Sequence, residues 1–170
     1  LYTGDAAQAI GKVLNSDVDI AVAPLPERLP PALAARPGAH TPVVFVGPSA
    51  EHALGQKLLK RINWAQVPMI FPESGLIKTN LNAWFKRKGI QAQVYSRVSG
   101  HEAILSLVSL GFGVGVVPEL VLEKSLIKED MQVLEVRPQL PGYRIAFCAR
   151  KSQMDTALIR AFWRAIDRAV

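Results

Sequence analysis

Two short stretches of this sequence combine a hydroxyl side chain with a glycine in a position suited to holding a small anion. Ser74-Gly75-Leu76 and Ser99-Gly100-His101 each follow a short apolar segment and precede a segment with helical periodicity. The first backbone N–H groups of a helix have no partner within the helix and carry a partial positive charge, so helix starts bind carboxylates and phosphates. His101 would add a hydrogen-bond donor.

Each of these junctions, taken alone, also has a plainer interpretation. Ser74 and Ser99 are equally well explained as helix caps, and His101 as an exposed histidine without a role. The repetition favours a ligand, because the carboxyl ends of parallel strands meet at one sheet edge, where small molecules bind in open α/β folds. We therefore predict that both junctions form one ligand-binding edge.

Other chemistries are poorly supported by the sequence. His40, His52 and His101 lie far apart, and no histidine or cysteine stands at a metal-ligand spacing from another. A Ser99–His101 hydrolase would need a Gly-x-Ser-x-Gly elbow, which the chain lacks. The glycines from Gly111 to Gly115 follow a helix and precede a strand, the reverse of a dinucleotide-binding loop, so we interpret them as structural. We expect no metal, no catalytic residue and no cofactor.

The two junctions are expected to sit between well-marked strands and helices. Residues 69–71 and 93–98 are predicted strands, and helices should follow them, the first ending at Gly89. In the second, Ser99 and Glu102 match a capping box, which predicts a helix beginning at about Gly100. Residues 114–117 predict a strand buried on both faces. Strands that alternate with helices in this way predict an α/β fold with parallel sheets.

The rest of the chain continues the alternation, with one interruption. A helix is predicted over 6–14 and a strand over 18–23. Four prolines then predict an exposed, irregular connection over 24–38 with at most one helical turn. Further strands are expected at 42–47, 131–136 and 143–149, with a turn at Pro138 and Pro141, and an amphipathic helix should close the sequence.

The composition is that of a globular protein that can bury a core. The chain has 170 residues, of which 49% are hydrophobic, and a net charge of +6 from dispersed basic residues, which we interpret as solvated surface rather than a nucleic-acid site. Its single cysteine, Cys148, favours a reduced compartment, the cytoplasm, and no segment is long enough to span a membrane. Because it begins at Leu1 without a methionine, we expect it to be part of a longer protein.

Several motifs resemble the effector-binding domain of LysR-type transcriptional regulators. They are residues 98–103 (VSGHEA) and 110–119 (LGFGVGVVPE), supported by 18–21 (VDIA), Trp64 with Val67-Pro68, and 158–163 (LIRAFW). The likeness covers nearly the whole chain. Within the family the chain is similar to activators of branched-chain amino acid biosynthesis genes, and this likeness rests on residues 3–7, 83–87, 100–103 and 118–123.

The resemblance implies two Rossmann-like lobes of the type 2 periplasmic-binding-protein architecture, joined by two crossover segments. Lobe I would comprise residues 1–43 and 144–170, incomplete at its N-terminus because its first strand and helix are absent. Lobe II would comprise residues 44–143. The winged helix-turn-helix that binds DNA in this family would also lie outside this chain.

The resemblance also implies what the domain does. Its effector would be a small carboxylate such as acetolactate or acetohydroxybutyrate, bound between the lobes without a cofactor. The ligand-binding positions would be those of the two junctions, together with Thr3, Gly4 and Pro24 from lobe I. The chain would form a homodimer or higher homo-oligomer, and the complete protein would bind DNA and contact RNA polymerase. The alternative is a solute-binding protein or an enzyme on the same fold.

Overall fold

The computed structural model describes residues 6–26 and 28–169, and within these ranges strands and helices alternate along most of the chain. The helices are α1 (Ala6–Leu14), α2 (Ala53–Lys60), α3 (Gly75–Arg87), α4 (His101–Ser109), α5 (Glu119–Glu123) and α6 (Ala157–Ala169). The strands are β1 (Ile20–Pro24), β2 (Leu33–Pro48), β3 (Pro68–Pro72), β4 (Gln93–Val98), β5 (Gly115–Pro118), β6 (Met131–Leu134) and β7 (Leu140–Arg150). Short 3-10 helices lie at Lys128–Asp130 and Lys151–Gln153. The predicted α/β class is confirmed.

The described residues divide into two compact units, and the chain passes between them twice. One unit contains the residues up to His40 and those from Tyr143 onward, and the other contains Thr41–Gly142. Both passages occur within long strands, β2 and β7. Among the described residues, no helix has the length and apolar character needed to cross a membrane.

The first unit is built on antiparallel strands, which differs from the parallel sheet predicted. β1 runs antiparallel to β7, with Ile20 opposite Ala149 and Pro24 opposite Ile145. On its other side β7 neighbours β2. The backbone N–H of Lys151 donates to the carbonyl of Ala32 over 2.8 Å.

This pairing explains why the prediction for residues 24–38 was wrong from Leu33 onward. Leu33 is fully buried and begins β2, which runs on without a break to Pro48. Local proline signals argued for an irregular segment, but pairing with a distant strand overrides local preference. The turn expected at Pro138 and Pro141 is wrong in the same way at its second proline, because β7 begins at Leu140.

In the second unit, β2 lies between β5 and β6 in one sheet, and β3 and β4 form a two-stranded sheet. β3 and β4 are parallel, as predicted, and a parallel bridge between Met69 and Val114 joins β3 to the segment that enters β5. β2 runs antiparallel to both β5 and β6. β5 is buried along its whole length, which confirms the prediction of a strand covered on both faces.

Helices cover the two faces of these strands, and the alternation of side chains along each strand decides which helix each residue meets. Val46, Ile70 and Val117 form one core with Ile104 and Val108 of α4. The other core is aromatic: the Trp84 ring lies 5.3 Å from Phe45 and 5.0 Å from Phe85, and Phe85 lies 6.0 Å from Phe71. Trp84 also donates its indole N–H to the Pro138 carbonyl over 2.8 Å. The sheet thus places α3 and α4 firmly on opposite sides.

Candidate functional site

The two predicted junctions lie side by side at the end of β3 and β4. Pro72, the last residue of β3, is opposite Val98, the last residue of β4. The backbone N–H of the next residue, Glu73, donates to the Val98 carbonyl over 2.9 Å. Ser74 and Ser99 follow directly. The parallel pairing therefore brings both Ser-Gly stretches to one edge of the sheet, as the sequence predicted.

The two glycines of these junctions both have a positive φ. Gly75 has φ = 86° and Gly100 has φ = 85°, in the left-handed region that side chains disfavour. Lack of space is not the reason for a glycine at position 100, because a Cβ there would meet only Glu102 Oε2, at 3.7 Å. The backbone turn itself requires glycine. Each turn leads directly into a helix, α3 or α4, whose first N–H groups lie at the sheet edge.

The capping box predicted for Ser99 and Glu102 was wrong. Gly100 is the N-cap of α4, and no side chain makes a capping hydrogen bond there. The positive φ of Gly100 moves the helix start one residue past Ser99, so the Ser99 hydroxyl does not serve as the cap. Ser74 is the N-cap of α3, again without a side-chain capping bond. The structure thus speaks against the capping interpretation for Ser99, whereas Ser74 does stand at the N-cap position.

Lys78 places a positive charge at the first junction, and sequence reasoning missed it. Its ammonium donates to the carbonyl of Glu73 over 2.8 Å, so it folds back from the first turn of α3 toward the sheet edge. A cation near a helix N-terminus opposes the helix dipole, an arrangement that an anion bound there would relieve. The sequence does contain a signal for it: Lys78 stands three residues after Gly75, which places it in the first turn of the predicted helix.

The remaining candidate positions lie in the other unit or outside the described residues. Pro24 ends β1 in the other unit, where it faces Ile145. Thr3 and Gly4 lie outside the described residues. Ser74, Gly75, Leu76, Ser99, Gly100 and His101 are thus the predicted positions that one edge brings together.

The glycines between α4 and β5 are structural, as predicted. Gly111 ends the helix with φ = 83°. A Cβ at Gly113 would lie 2.5 Å from the Pro68 carbonyl oxygen, and one at Gly115 would lie 2.4 Å from Ile104 Cγ2. They let β3 and α4 approach β5 closely, which fixes where α4 begins.

Metal and thiol chemistry find no support in the part of the chain that the structure describes. Within residues 6–26 and 28–169, no group of three or more histidine, cysteine or carboxylate side chains could hold a metal ion. Cys148 is fully buried in β7, and burial raises the pKa of its thiol, which keeps the thiol protonated and unreactive.

Comparison with known sequences agrees with the motif resemblance. A family model described as LysR substrate binding domain matches residues 1–170. The transcriptional activator IlvY of Salmonella typhimurium is 35% identical over 98% of this chain, which covers 58% of that protein. IlvY of Haemophilus influenzae is 30% identical with the same coverage. The chain thus spans somewhat more than half the length of these relatives, which are transcriptional regulators and not enzymes.

Comparison with solved structures agrees on the fold. The effector-binding domain of QuiR in complex with shikimate matches with a TM-score of 0.76 over 99% of this chain and 79% of that one, at 19% identity. The bromide-bound regulatory domain of HypT from Salmonella typhimurium matches with a TM-score of 0.76 over 96% of this chain and 77% of that one, at 15% identity. These likenesses confirm the predicted periplasmic-binding-protein-like fold.

Proposed function

Because the chain belongs to the LysR substrate binding domain family and is an effector-binding domain related to the IlvY activators, we propose that it senses a small carboxylate such as acetolactate or acetohydroxybutyrate. In the complete protein this sensing would control DNA binding and activate transcription of branched-chain amino acid biosynthesis genes. The carboxylate would bind at Ser74, Gly75, Leu76, Ser99, Gly100 and His101.

The hydrogen bond from Glu73 to Val98 is the observation that carries this proposal. It holds two glycine turns of equal φ beside each other, each opening a helix. Two helix N-termini at one edge offer several backbone N–H donors to one carboxylate, and charge-assisted bonds of this kind are stronger than neutral ones. The ammonium of Lys78 adds a positive charge at the same edge.

The ligands of structural relatives are consistent with an anionic effector. QuiR is described in complex with shikimate, a carboxylate, and HypT in a form bound to bromide, a small anion. The choice of carboxylate follows from the motif resemblance to activators of branched-chain amino acid biosynthesis genes, which implies acetolactate and acetohydroxybutyrate. Each of these acids pairs one carboxylate with a short alkyl group.

The mechanism would be a shift of population between two arrangements of the protein. Residues 1–43 with 144–170 would form lobe I and contribute Thr3, Gly4 and Pro24, and residues 44–143 would form lobe II. Effector binding would change how a homodimer or higher oligomer in the cytoplasm holds its N-terminal helix-turn-helix on DNA, with RNA polymerase as a further partner.

Titration calorimetry with acetolactate tests the proposal. We expect Ser99→Ala and Lys78→Met each to raise Kd by about tenfold, since a hydrogen bond to a charged group contributes about 1.5 kcal/mol. Ser109→Ala, at the far end of α4, and Lys86→Met, in the last turn of α3, are the matched controls and should leave Kd unchanged.

The possible outcomes test the proposed binding site and the proposed effector separately. Binding of another carboxylate but not acetolactate, still weakened by Ser99→Ala, would keep the site and reject the proposed effector. Tight binding of acetolactate that neither site variant weakens would reject the site.

A further inference from the structure

A groove separates α4 from α5 and the segment that follows it, on the sheet face opposite α3. Its volume is about 540 Å³, within the range of roughly 300–1,000 Å³ typical of small-molecule sites. The lining residues are Glu102, Leu105, Ser106, Leu120, Val121, Lys124, Ser125, Leu126 and Ile127. All belong to the unit Thr41–Gly142.

The groove combines an aliphatic lining with one negative and one positive charge. Five of its lining residues are leucine, valine or isoleucine, and Glu102 and Lys124 are the two charged ones. Leu126 is completely exposed, with 101% of its reference surface accessible. An apolar side chain with no cover beside an apolar groove favours an aliphatic occupant.

We propose that this groove binds an aliphatic α-amino acid in its zwitterionic form. Glu102 accepts hydrogen bonds from the ammonium group, Lys124 donates to the carboxylate, and the branched side chain covers Leu126 and the apolar lining. A simple carboxylate would leave Glu102 without a partner and repel it. The charges therefore favour a ligand that carries one charge of each sign.

This site adjoins the effector edge: both use the first turn of α4, and Glu102 Oε2 lies 3.7 Å from the position of a Cβ at Gly100. His101 belongs to the effector edge, and the next residue, Glu102, lines the groove. Because the groove would bind a different ligand, this proposal does not depend on the identity of the effector.

Titration calorimetry with L-leucine tests the groove directly. Isocaproate, which lacks the ammonium, and isopentylamine, which lacks the carboxylate, should each bind at least about threefold more weakly, the scale of an exposed ion pair. Equal affinity for leucine and either analogue would overturn the pairing of both charges. Absence of leucine binding to the chain would overturn the proposal altogether.

Charge variants locate the contacts. Lys124→Met should weaken leucine binding about threefold without weakening the binding of isopentylamine. Glu102→Gln should weaken leucine binding but, because it removes the carboxylate that repels isocaproate, it should not weaken the binding of isocaproate. Lys128→Met and Glu123→Gln, which remove charges outside the lining, serve as matched controls and should have no effect.

Two further variants decide whether a small molecule is the occupant. Ser106→Phe places a ring in the groove and should abolish leucine binding, and leucine binding that survives it would refute the location. Leu126→Ser should leave the mass in sedimentation unchanged. A fall in mass would identify a second copy of the chain as the occupant and overturn the proposal.

Discussion

Replacing Gly113 by alanine should destabilise the second unit, because the backbone of β3 leaves no room for a side chain. The new Cβ would lie 2.5 Å from the Pro68 carbonyl oxygen. That oxygen accepts the Val114 N–H over 2.8 Å, and the Val114 carbonyl accepts the Ile70 N–H over 2.8 Å. Neither strand can retreat without stretching both bonds. Overpacking costs about 1–3 kcal/mol and each weakened bond up to about 1 kcal/mol, so we expect a loss of about 2–4 kcal/mol.

Urea unfolding of Gly113→Ala, followed by tryptophan fluorescence and far-UV circular dichroism, measures this loss. Trp64 and Trp84 report on the unit that contains the substitution. Gly11→Ala is the control: nothing lies within 4 Å of its Cβ in α1, so it should stabilise the chain by about 0.5–1 kcal/mol. A loss below about 0.5 kcal/mol for Gly113→Ala would refute the close-approach argument.

The remaining predictions concern three buried groups. Thr41 is 3% exposed, and its hydroxyl accepts the Leu120 N–H at the start of α5 over 3.1 Å. Thr41→Val should therefore lower the free energy of unfolding by about 1–2 kcal/mol, whereas Thr79→Val on the exposed surface of α3 should change it by less than about 0.5 kcal/mol. Trp84→Phe removes the donor to Pro138 and part of a packed ring, so urea unfolding should show a loss of about 1–3 kcal/mol that Trp163→Phe does not match. Burial raises the pKa of the Cys148 thiol above its ordinary value of 9.0, so the folded state keeps the proton longer than the unfolded state. This contribution to stability is complete below about pH 9 and is lost as the pH rises further. The free energy of unfolding should then fall more steeply with pH than in Cys148→Ala, and equal slopes would contradict the burial argument.

Local sequence patterns predicted the second unit well because its strands and helices are short and are bounded by glycines. β4 was predicted with its observed bounds, Gln93–Val98, and the breaks at Gly89 and Gly111 mark the observed helix ends. The pairing of parallel strands follows from the alternation of strands and helices, so the meeting of the two Ser-Gly junctions was also predictable.

Pairing between distant segments was not predictable in the same way. The first part of β2 contains Pro37 and Gly38 and reads locally as a loop, and it becomes a strand only because β7 lies beside it. The final helix shows the same limit: its spacing places Leu158 in line with Phe162 and Ile166, yet Leu158 is 64% exposed, and Ile159 beside it is buried.

The glycines from Gly111 to Gly115 support the edge that carries the two Ser-Gly turns. Gly115 has no side chain, so Ile104 and Val108 lie directly on β5, and the absence of a Cβ at Gly113 keeps β3 bonded to Val114. β3 in turn holds the Glu73 N–H on the Val98 carbonyl. A helix start binds an anion only where its N–H groups point at a fixed place. The glycines that resemble a phosphate loop would therefore serve the proposed binding by fixing β3 and α4, which position the two Ser-Gly turns.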